Sequence, residues 1–139
     1  MIRLLDAWAA LVWLRGEGEA ASEMRRLLLS ARRGRHQLIM SVINLGEVYY
    51  RIAKVSDESN ARQILERFRL APVVVVSVEN QLVFQAASLK ARFPISYADS
   101  FAAALAIERG ARLITGDPDF QPLELARLLK IDWLARSRV

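Results

Sequence analysis

Four carboxylates occupy positions that a parallel sheet would bring together: Asp6, Glu47, Asp99 and Asp117. Asp6 ends one short apolar run, and Asp117 closely follows another, which ends at Thr115. Glu47 and Asp99 fall in the first turns of two helical patterns. Carboxylates held close together raise one another's pKa or require a cation, and oxygen donors without His or Cys suit Mg²⁺ or Mn²⁺. The four acids therefore predict a divalent-metal site.

The composition narrows the remaining chemistry. The chain has 139 residues, 53% of them hydrophobic, which is long and apolar enough for a packed core and excludes a disordered tail. It contains no Cys and one His, His36, at the start of a predicted strand. Disulfides, cysteine-zinc sites, thiol nucleophiles and clustered histidine ligands are thus excluded. Carboxylates, hydroxyls and cations are left.

Basic residues exceed acidic ones, 20 to 15, giving a formal charge of +5. Seventeen of the 20 are Arg, whose planar donor fork suits phosphate. This balance favours a polyanionic partner such as nucleic acid, although an Arg-rich chain is equally typical of a GC-rich genome. One cluster is consistent with an RNA-backbone patch, but we favour a solvated helix face for it: Arg25, Arg26, Arg32, Arg33 and Arg35.

The elements that must position the acids alternate along the chain. Strand patterns cover 2–5, 37–42, 72–76 and 111–115, and residues 129–133 would add a fifth strand. Helical patterns cover 7–14, 17–33, 43–55, a segment capped by Ser56, 77–93, 97–109 and a short helix after Asp117. Strands separated by helices predict a three-layer α/β/α sandwich with a central parallel sheet of four to five strands, in one domain spanning 1–139. The β-branched run at 72–76 is expected to be buried on both faces.

Each acid also has a purely structural interpretation as part of a helix start. Asp6 could be a plain N-cap, and Asp117 precedes a proline at a first helical position. Asp99 follows Ser96, and Glu47 follows Asn44, with the spacing of a capping box. Only the expected meeting of all four at the ends of parallel strands, where sites of α/β folds form, favours the metal site.

The aromatic residues give a weaker indication. Trp8 and Trp13 are expected to pack in the core or at a dimer interface rather than to stack on bases. Tyr49 and Tyr50 are consecutive, so they point to different helix faces, and one of them could reach a groove. No uncharged apolar run approaches the roughly 18 residues of a membrane span. We therefore expect a cytoplasmic protein that does not use a membrane.

Three segments carry a resemblance to a known family: LLDAWAALVWLRGEGEA, MSVINLGEVYYRI and ISYADSFAAALAIERGARLITGDPDF. With them, nearly the whole chain resembles the PIN-domain ribonucleases and, among these, the VapC-type toxins of prokaryotic toxin–antitoxin pairs. The last segment is the most specific, because it combines a buried acid, an alanine-rich helix, a glycine, a short strand and the pattern T-x-D-x-D-F.

The resemblance implies that Asp6, Glu47, Asp99 and Asp117 form an acidic catalytic quartet. Asp6 and Asp99 would be the principal metal ligands, with Asp117 as a further ligand. Thr115 matches a small hydroxyl residue that often precedes the last acid, and Asp119 matches a frequently acidic position; both are possible accessory residues. Many members have Ser or Thr directly after the first acid, whereas this chain has Ala7.

The resemblance further implies a metal-dependent RNA endonuclease in which water attacks the phosphodiester. It implies a homodimer and a VapB-like antitoxin, whose arginine we expect among the four acids. Two alternatives remain open: a catalytically silent PIN-fold binding module and a receiver-like signalling domain. A receiver needs paired acids after its first strand and a lysine near its last, whereas this chain has a lone Asp6 there and only Lys54, Lys90 and Lys130.

Overall fold

The computed structural model describes residues 1–135 and contains one parallel sheet. Its five strands are β1 (Ile2–Leu5), β2 (Gln37–Ser41), β3 (Val73–Val76), β4 (Arg112–Thr115) and β5 (Ile131–Trp133). They are arranged in the order β3-β2-β1-β4-β5, and every neighbouring pair is parallel. The first strand is therefore central, and the predicted fold and the fifth strand are confirmed.

Helices cover both faces of the sheet. They are α1 (Ala7–Arg15), α2 (Gly18–Arg32), α3 (Val42–Val55), α4 (Glu58–Leu70), α5 (Asn80–Arg92), α6 (Tyr97–Arg109) and α7 (Gln121–Leu125), with a 3-10 turn at Pro118–Phe120. Within residues 1–135, no helix combines the length and the apolar character that crossing a membrane requires.

Alternation along the strands divides the core into two layers. Leu4 and Leu113 point to the face covered by α5 and α6, where the alanine-rich α6 lies close against the sheet. Leu5 and Ile114, their neighbours along the strands, point to the opposite face, covered by α1 to α4. Such two-sided burial explains why the strands read as continuous apolar runs.

Three local predictions were wrong. Ser56 ends α3, and the cap of α4 is Asp57, whose carboxylate accepts a hydrogen bond from the Asn60 N–H at 2.7 Å. The helix predicted from Ser77 begins only at Asn80. The third strand is not buried on both faces, because it lies at the edge of the sheet and Val74 is 51% exposed.

Candidate active site

Asp6 lies where the central strand passes into α1, and it is almost fully buried. As the N-cap of α1, its Oδ1 accepts a hydrogen bond from the Ala9 N–H at 2.8 Å. Its Oδ2 accepts one from the Thr115 hydroxyl at 2.5 Å. That hydroxyl in turn accepts the Asp117 N–H at 3.0 Å. A chain of hydrogen bonds thus connects the end of β1 to the turn that follows β4.

Asp99 reaches the same edge of the sheet from the first turn of α6. Its N–H donates to the Ser96 hydroxyl at 3.1 Å, so the predicted cap at Ser96 is confirmed. The Asn44 side chain donates to the Ala98 carbonyl at 3.1 Å and thereby ties α3 to α6. Asn44 is therefore not a helix cap; the cap of α3 is Ser41.

Glu47 projects from the second turn of α3 and forms an ion pair with Arg51, one turn further along. The guanidinium Nη2 and Nε lie 2.9 and 3.0 Å from the Glu47 Oε2. The other oxygen, Oε1, is buried and has no hydrogen-bond partner within residues 1–135. One Glu47 oxygen is thus held in place, and the other remains available as an acceptor.

Asp117 and Asp119 follow β4 at the start of the 3-10 turn. The Asp117 Oδ1 accepts the Asp119 N–H at 3.0 Å. Carboxylate oxygens of Asp99, Asp117 and Asp119 lie within 4.8 Å of one another, a grouping that could hold a metal ion. Asp119, predicted as accessory, is part of this group. Asp6 and Glu47 are not, so their roles as ligand and catalytic group stay predictions.

Burial and mutual repulsion disfavour the ionised forms of Asp6 and Asp99. Burial raises the pKa of Asp6 from 3.8 to about 7; its hydrogen bonds from Thr115 and Ala9 oppose this shift, whereas Asp99 and Asp117 add to it. Burial also raises the pKa of Asp99 to about 6, with further contributions from Asp117 and Glu47. A bound cation would relieve both effects.

A cleft of about 420 Å³ lies at this group of acids. Its lining includes Glu47, Asp99, Asp117 and Asp119, together with two cations, Arg15 and Arg51, and the side chains of Ala7, Trp8, Leu11, Val12 and Ser96. Asp6 lies beneath the cleft rather than in its wall. All four predicted acids therefore meet at one place in the fold.

A second, larger groove of about 550 Å³ adjoins this cleft. It runs between α1, α3 and α4 and is mostly apolar, with Leu14, Tyr50, Ile52, Val55 and Ile64 among its lining residues. It shares Leu11, Arg15 and Arg51 with the acidic cleft. Because it lacks carboxylates, this groove is suited to binding rather than to the chemistry predicted above. Tyr50 accordingly reaches a groove.

Sequence reasoning missed three features of the site. Arg51 could have been found from its i,i+4 spacing to Glu47. Arg15 gave no comparable indication. Trp8 packs partly against the core, as predicted, but it also lines the cleft. Trp13 packs as predicted, with its ring 5.4 Å from that of Phe68.

The arginine cluster at 25–35 does not line the cleft. Its five side chains are exposed along α2 and the turn that follows it. Arg25 donates to the Gly16 carbonyl and to the Ser22 hydroxyl, at 3.1 and 2.8 Å. This placement agrees with the solvated helix face that we favoured.

Comparisons with known proteins agree with this architecture. A family model described as PIN domain matches residues 3–124. Among curated proteins, no sequence matches the chain significantly.

Three solved structures illustrate the structural similarity. VapBC2 of Rickettsia felis, bound to a promoter DNA fragment, aligns with a TM-score of 0.75 and 18% identity, covering 97% of this chain and 100% of that one. VapBC of Salmonella typhimurium, bound to DNA, gives 0.72 and 20%, covering 95% and 98%. VapC20 of Mycobacterium tuberculosis, described as a toxin that cleaves the sarcin-ricin loop, gives 0.70 and 19%, covering 88% and 94%. At these identities the similarity is one of fold.

Proposed function

Because the chain belongs to the PIN-domain family, we propose that it is a metal-dependent RNA endonuclease and the toxin of a toxin–antitoxin pair. The observation that carries the proposal is the meeting of acids from four separate segments in and beneath one cleft: Asp6, Glu47, Asp99, Asp117 and Asp119. If these acids were only helix caps, they would not need to lie at one edge of the sheet. Nor would they need to outnumber the cations beside them.

The residues present fit a hard divalent cation. All the donors are carboxylate oxygens, and three of these acids lie within 4.8 Å of one another, which suits Mg²⁺ or Mn²⁺. Asp99, Asp117 and Asp119 would hold the ion, with Asp6 beneath them as a further ligand. When bound, the ion supplies Lewis-acid stabilisation of phosphate charge and lowers the pKa of water.

The protein's own groups would orient the attacking water and receive its proton. The buried Oε1 of Glu47 is an acceptor without a partner within the described residues, and Arg51 fixes the carboxylate that carries it. We assign proton acceptance to this atom. Thr115 orients Asp6 through its 2.5 Å hydrogen bond. Ala7 lines the cleft but offers no hydroxyl, so orientation of the water would fall to the carboxylates and to the Ser96 hydroxyl, which also lines the cleft.

RNA is the proposed substrate. The formal charge of +5 and the two arginines of the cleft favour a polyanion. The VapC20 toxin, which shares the fold, is described as cleaving the sarcin-ricin loop. The receiver-like alternative lacks support, since none of Lys54, Lys90 and Lys130 lines the cleft.

The test is cleavage of structured RNA by purified protein free of any partner. We expect cleavage with Mg²⁺ or Mn²⁺, none with EDTA, and none by Asp6→Asn, which replaces a charge with a near-isostere. Equal cleavage by the wild type and Asp6→Asn would indicate a contaminating nuclease and contradict the proposal. Metal binding without cleavage would favour the silent binding module instead.

A VapB-like antitoxin is the proposed partner. The similar solved structures include complexes named as VapBC, and the apolar groove next to the cleft suits an amphipathic helix. A segment leaving that groove would pass Arg15 and Arg51 and meet the acids. Since Arg51 already pairs with Glu47, an arginine of the partner would pair with Asp99 and Asp117.

Growth and binding assays test this partner. Expression of the chain alone should arrest growth, and co-expression with the partner should relieve the arrest. Replacement of the partner's inserted Arg by Glu should weaken binding and restore RNA cleavage. Inhibition at unchanged affinity would overturn the insertion model while leaving the nuclease assignment intact.

The assembly and location follow from the same proposal. We propose that residues 1–139 act as a single domain, that two copies form a homodimer, and that the protein works in the cytoplasm, where its RNA substrate is found. Sedimentation equilibrium of the purified chain would test the dimer, and a monomer at all micromolar concentrations would contradict it.

A further inference from the structure

Trp8 is the aromatic side chain of the acidic cleft. Among the aromatic residues of the described chain, it alone lines the cleft together with Asp99, Asp117 and Asp119. It belongs to the first turn of α1, two residues after the buried Asp6. Its ring is partly exposed, and no group within residues 1–135 accepts a hydrogen bond from its indole N–H. A partly exposed indole ring, whose N–H has no acceptor within the described residues, thus lies beside the carboxylates.

Gly116 supports this ring from one side. A Cβ built on Gly116 would lie 2.5 Å from both Cζ2 and Cζ3 of Trp8, and nearer still to Cη2, which lies between them. Nearly equal distances to three consecutive ring atoms mean that the glycine meets the face of the ring, not its edge. Only a residue without a side chain fits there. Gly116 lies between Thr115 and Asp117, so the ring is packed against the turn that carries the acids.

We propose that Trp8 forms a nucleobase subsite of the cleft, which deepens the proposed function and rests on it. A nucleotide whose phosphate is bound through a metal ion at the acids also carries a sugar and a base. The base then lies close enough to contact the wall of the cleft. Gly116 covers one face of the indole, and the ring is partly exposed where it lines the cleft, so a base would stack on that exposed part of the ring. Stacking on an aromatic side chain accepts any base, because every base has a π face. The subsite therefore orients the substrate without reading a sequence.

The experiment compares adenosine 5′-monophosphate with ribose 5-phosphate, both with Mg²⁺, by tryptophan fluorescence and ligand-observed NMR. In the wild type, the nucleotide should bind about tenfold more tightly than the sugar phosphate, since stacking contributes on this scale. It should also quench the fluorescence. In Trp8→Leu this preference should disappear, whereas Trp8→Phe should retain part of it. Trp13→Phe is the matched control, because Trp13 packs on Phe68 outside the cleft, and it should leave both preference and quenching unchanged.

A purely structural role for Trp8 gives a different result. Trp8→Leu would then lower the melting temperature while the ratio of the two affinities stayed as in the wild type. That outcome, equal affinities in the wild type, or no binding of the nucleotide at tens of millimolar, would overturn the subsite. None of these readouts needs turnover, so failure of the wild type to cleave RNA is a separate result that bears on the proposed function.

Discussion

Carboxylates lie beside arginines at both ends of this sheet. Arginines outnumber the acid at one end, and acids outnumber the arginines at the other. Toward the start of the strands, Asp132 on β5 accepts from Arg3 at 3.0 Å and from Arg112 at 2.7 Å. These two arginines are neighbours in the register of β1 and β4, and one acid accepts hydrogen bonds from both. In the cleft at the far end of the strands, four acids line the wall and only Glu47 is paired with an arginine.

The two regions differ in how far their charges are balanced. In the cluster of Asp132, Arg3 and Arg112, each carboxylate oxygen accepts a hydrogen bond from one guanidinium. The acid is therefore fully paired, and the cations outnumber it. The cleft is electrostatically incomplete, because burial and repulsion raise the pKa of two of its acids. Raised pKa values of this kind cluster at functional sites of proteins. Residue types alone would not separate the two regions.

The largest expected contrast is in RNA cleavage. Asp99→Asn should lower the rate by at least about a hundredfold, because it removes one of the proposed metal ligands from the group of three acids. Asp132→Asn is the matched change in the other region and should leave the rate within about twofold, since it is remote from the cleft. Initial rates on one RNA, measured well below both melting temperatures, check this pair. Equal losses in the two variants would show that the regions do not differ in function.

The next contrast concerns pH. Between pH 3.8 and about 7 the folded chain keeps a proton on Asp6 that the unfolded chain has lost. The free energy of unfolding of the metal-free protein should therefore fall as pH rises through this interval. The melting temperature should drop by several degrees from pH 5 to pH 8 and recover on addition of Mg²⁺ or Mn²⁺.

Asp6→Asn should make this pH profile shallower, most of all above pH 6, because the amide cannot ionise whereas Asp99, with a pKa of about 6, still titrates. Asp132→Asn should keep the slope of the wild type, which makes it the control for a global effect of pH. Differential scanning calorimetry at matched ionic strength measures both. A wild-type profile no steeper than that of Asp6→Asn would contradict the burial of a titrating carboxyl at Asp6.

A smaller effect is expected when the Asp132 cluster is opened. Asp132→Asn should lower the free energy of unfolding by about 1–2 kcal/mol, since it leaves two neighbouring, partly buried arginines without their counter-charge. Glu66→Gln breaks the exposed pair with Arg69 and should cost less than about 0.5 kcal/mol. Urea denaturation compares them. Equal small losses would mean that the Asp132 cluster contributes no more than a surface ion pair.

The smallest expected effect is on metal affinity. Arg51→Gln removes a cation from the cleft and should tighten Mg²⁺ binding about threefold, the scale of a partly exposed charge pair. Arg62→Gln, on the exposed side of α4, should leave the affinity unchanged. Isothermal titration calorimetry provides the numbers. Weaker binding by Arg51→Gln would mean that Arg51 acts by holding Glu47 as a ligand, and not by opposing the ion.

Most of the fold could be predicted because its determinants are local or periodic. Apolar runs separated by helical patterns were enough for the parallel sheet, and Ser96 could be assigned as a cap from its own neighbourhood. The position of a strand in the sheet is not determined by local sequence. Nothing in residues 72–76 indicates that β3 lies at the edge. Ser56 and Asp57 are adjacent candidates for one cap, and only the backbone geometry distinguishes them.

The meeting of the acids could be predicted from the sequence where it depends on strand ends, and contacts that depend on side-chain directions could not. The ends of β1 and β4 are sufficient to bring Asp6 and Asp117 together. The packing of Trp8 on Gly116 joins residues more than a hundred positions apart. Asp119 joins the group with Asp99 through a turn whose conformation the sequence does not reveal. These contacts need the assembled chain.

The sheet order also governs when the cleft can exist during translation. Its acids are spread from residue 6 to residue 119, and β4 pairs directly with β1, the first strand to be synthesised. A nascent polypeptide therefore cannot assemble the cleft until residue 119 has left the ribosome. Prematurely terminated products that stop before β4 lack two of the three clustered acids. For most of its synthesis the nascent chain therefore lacks the grouping of three acids that could hold a metal ion.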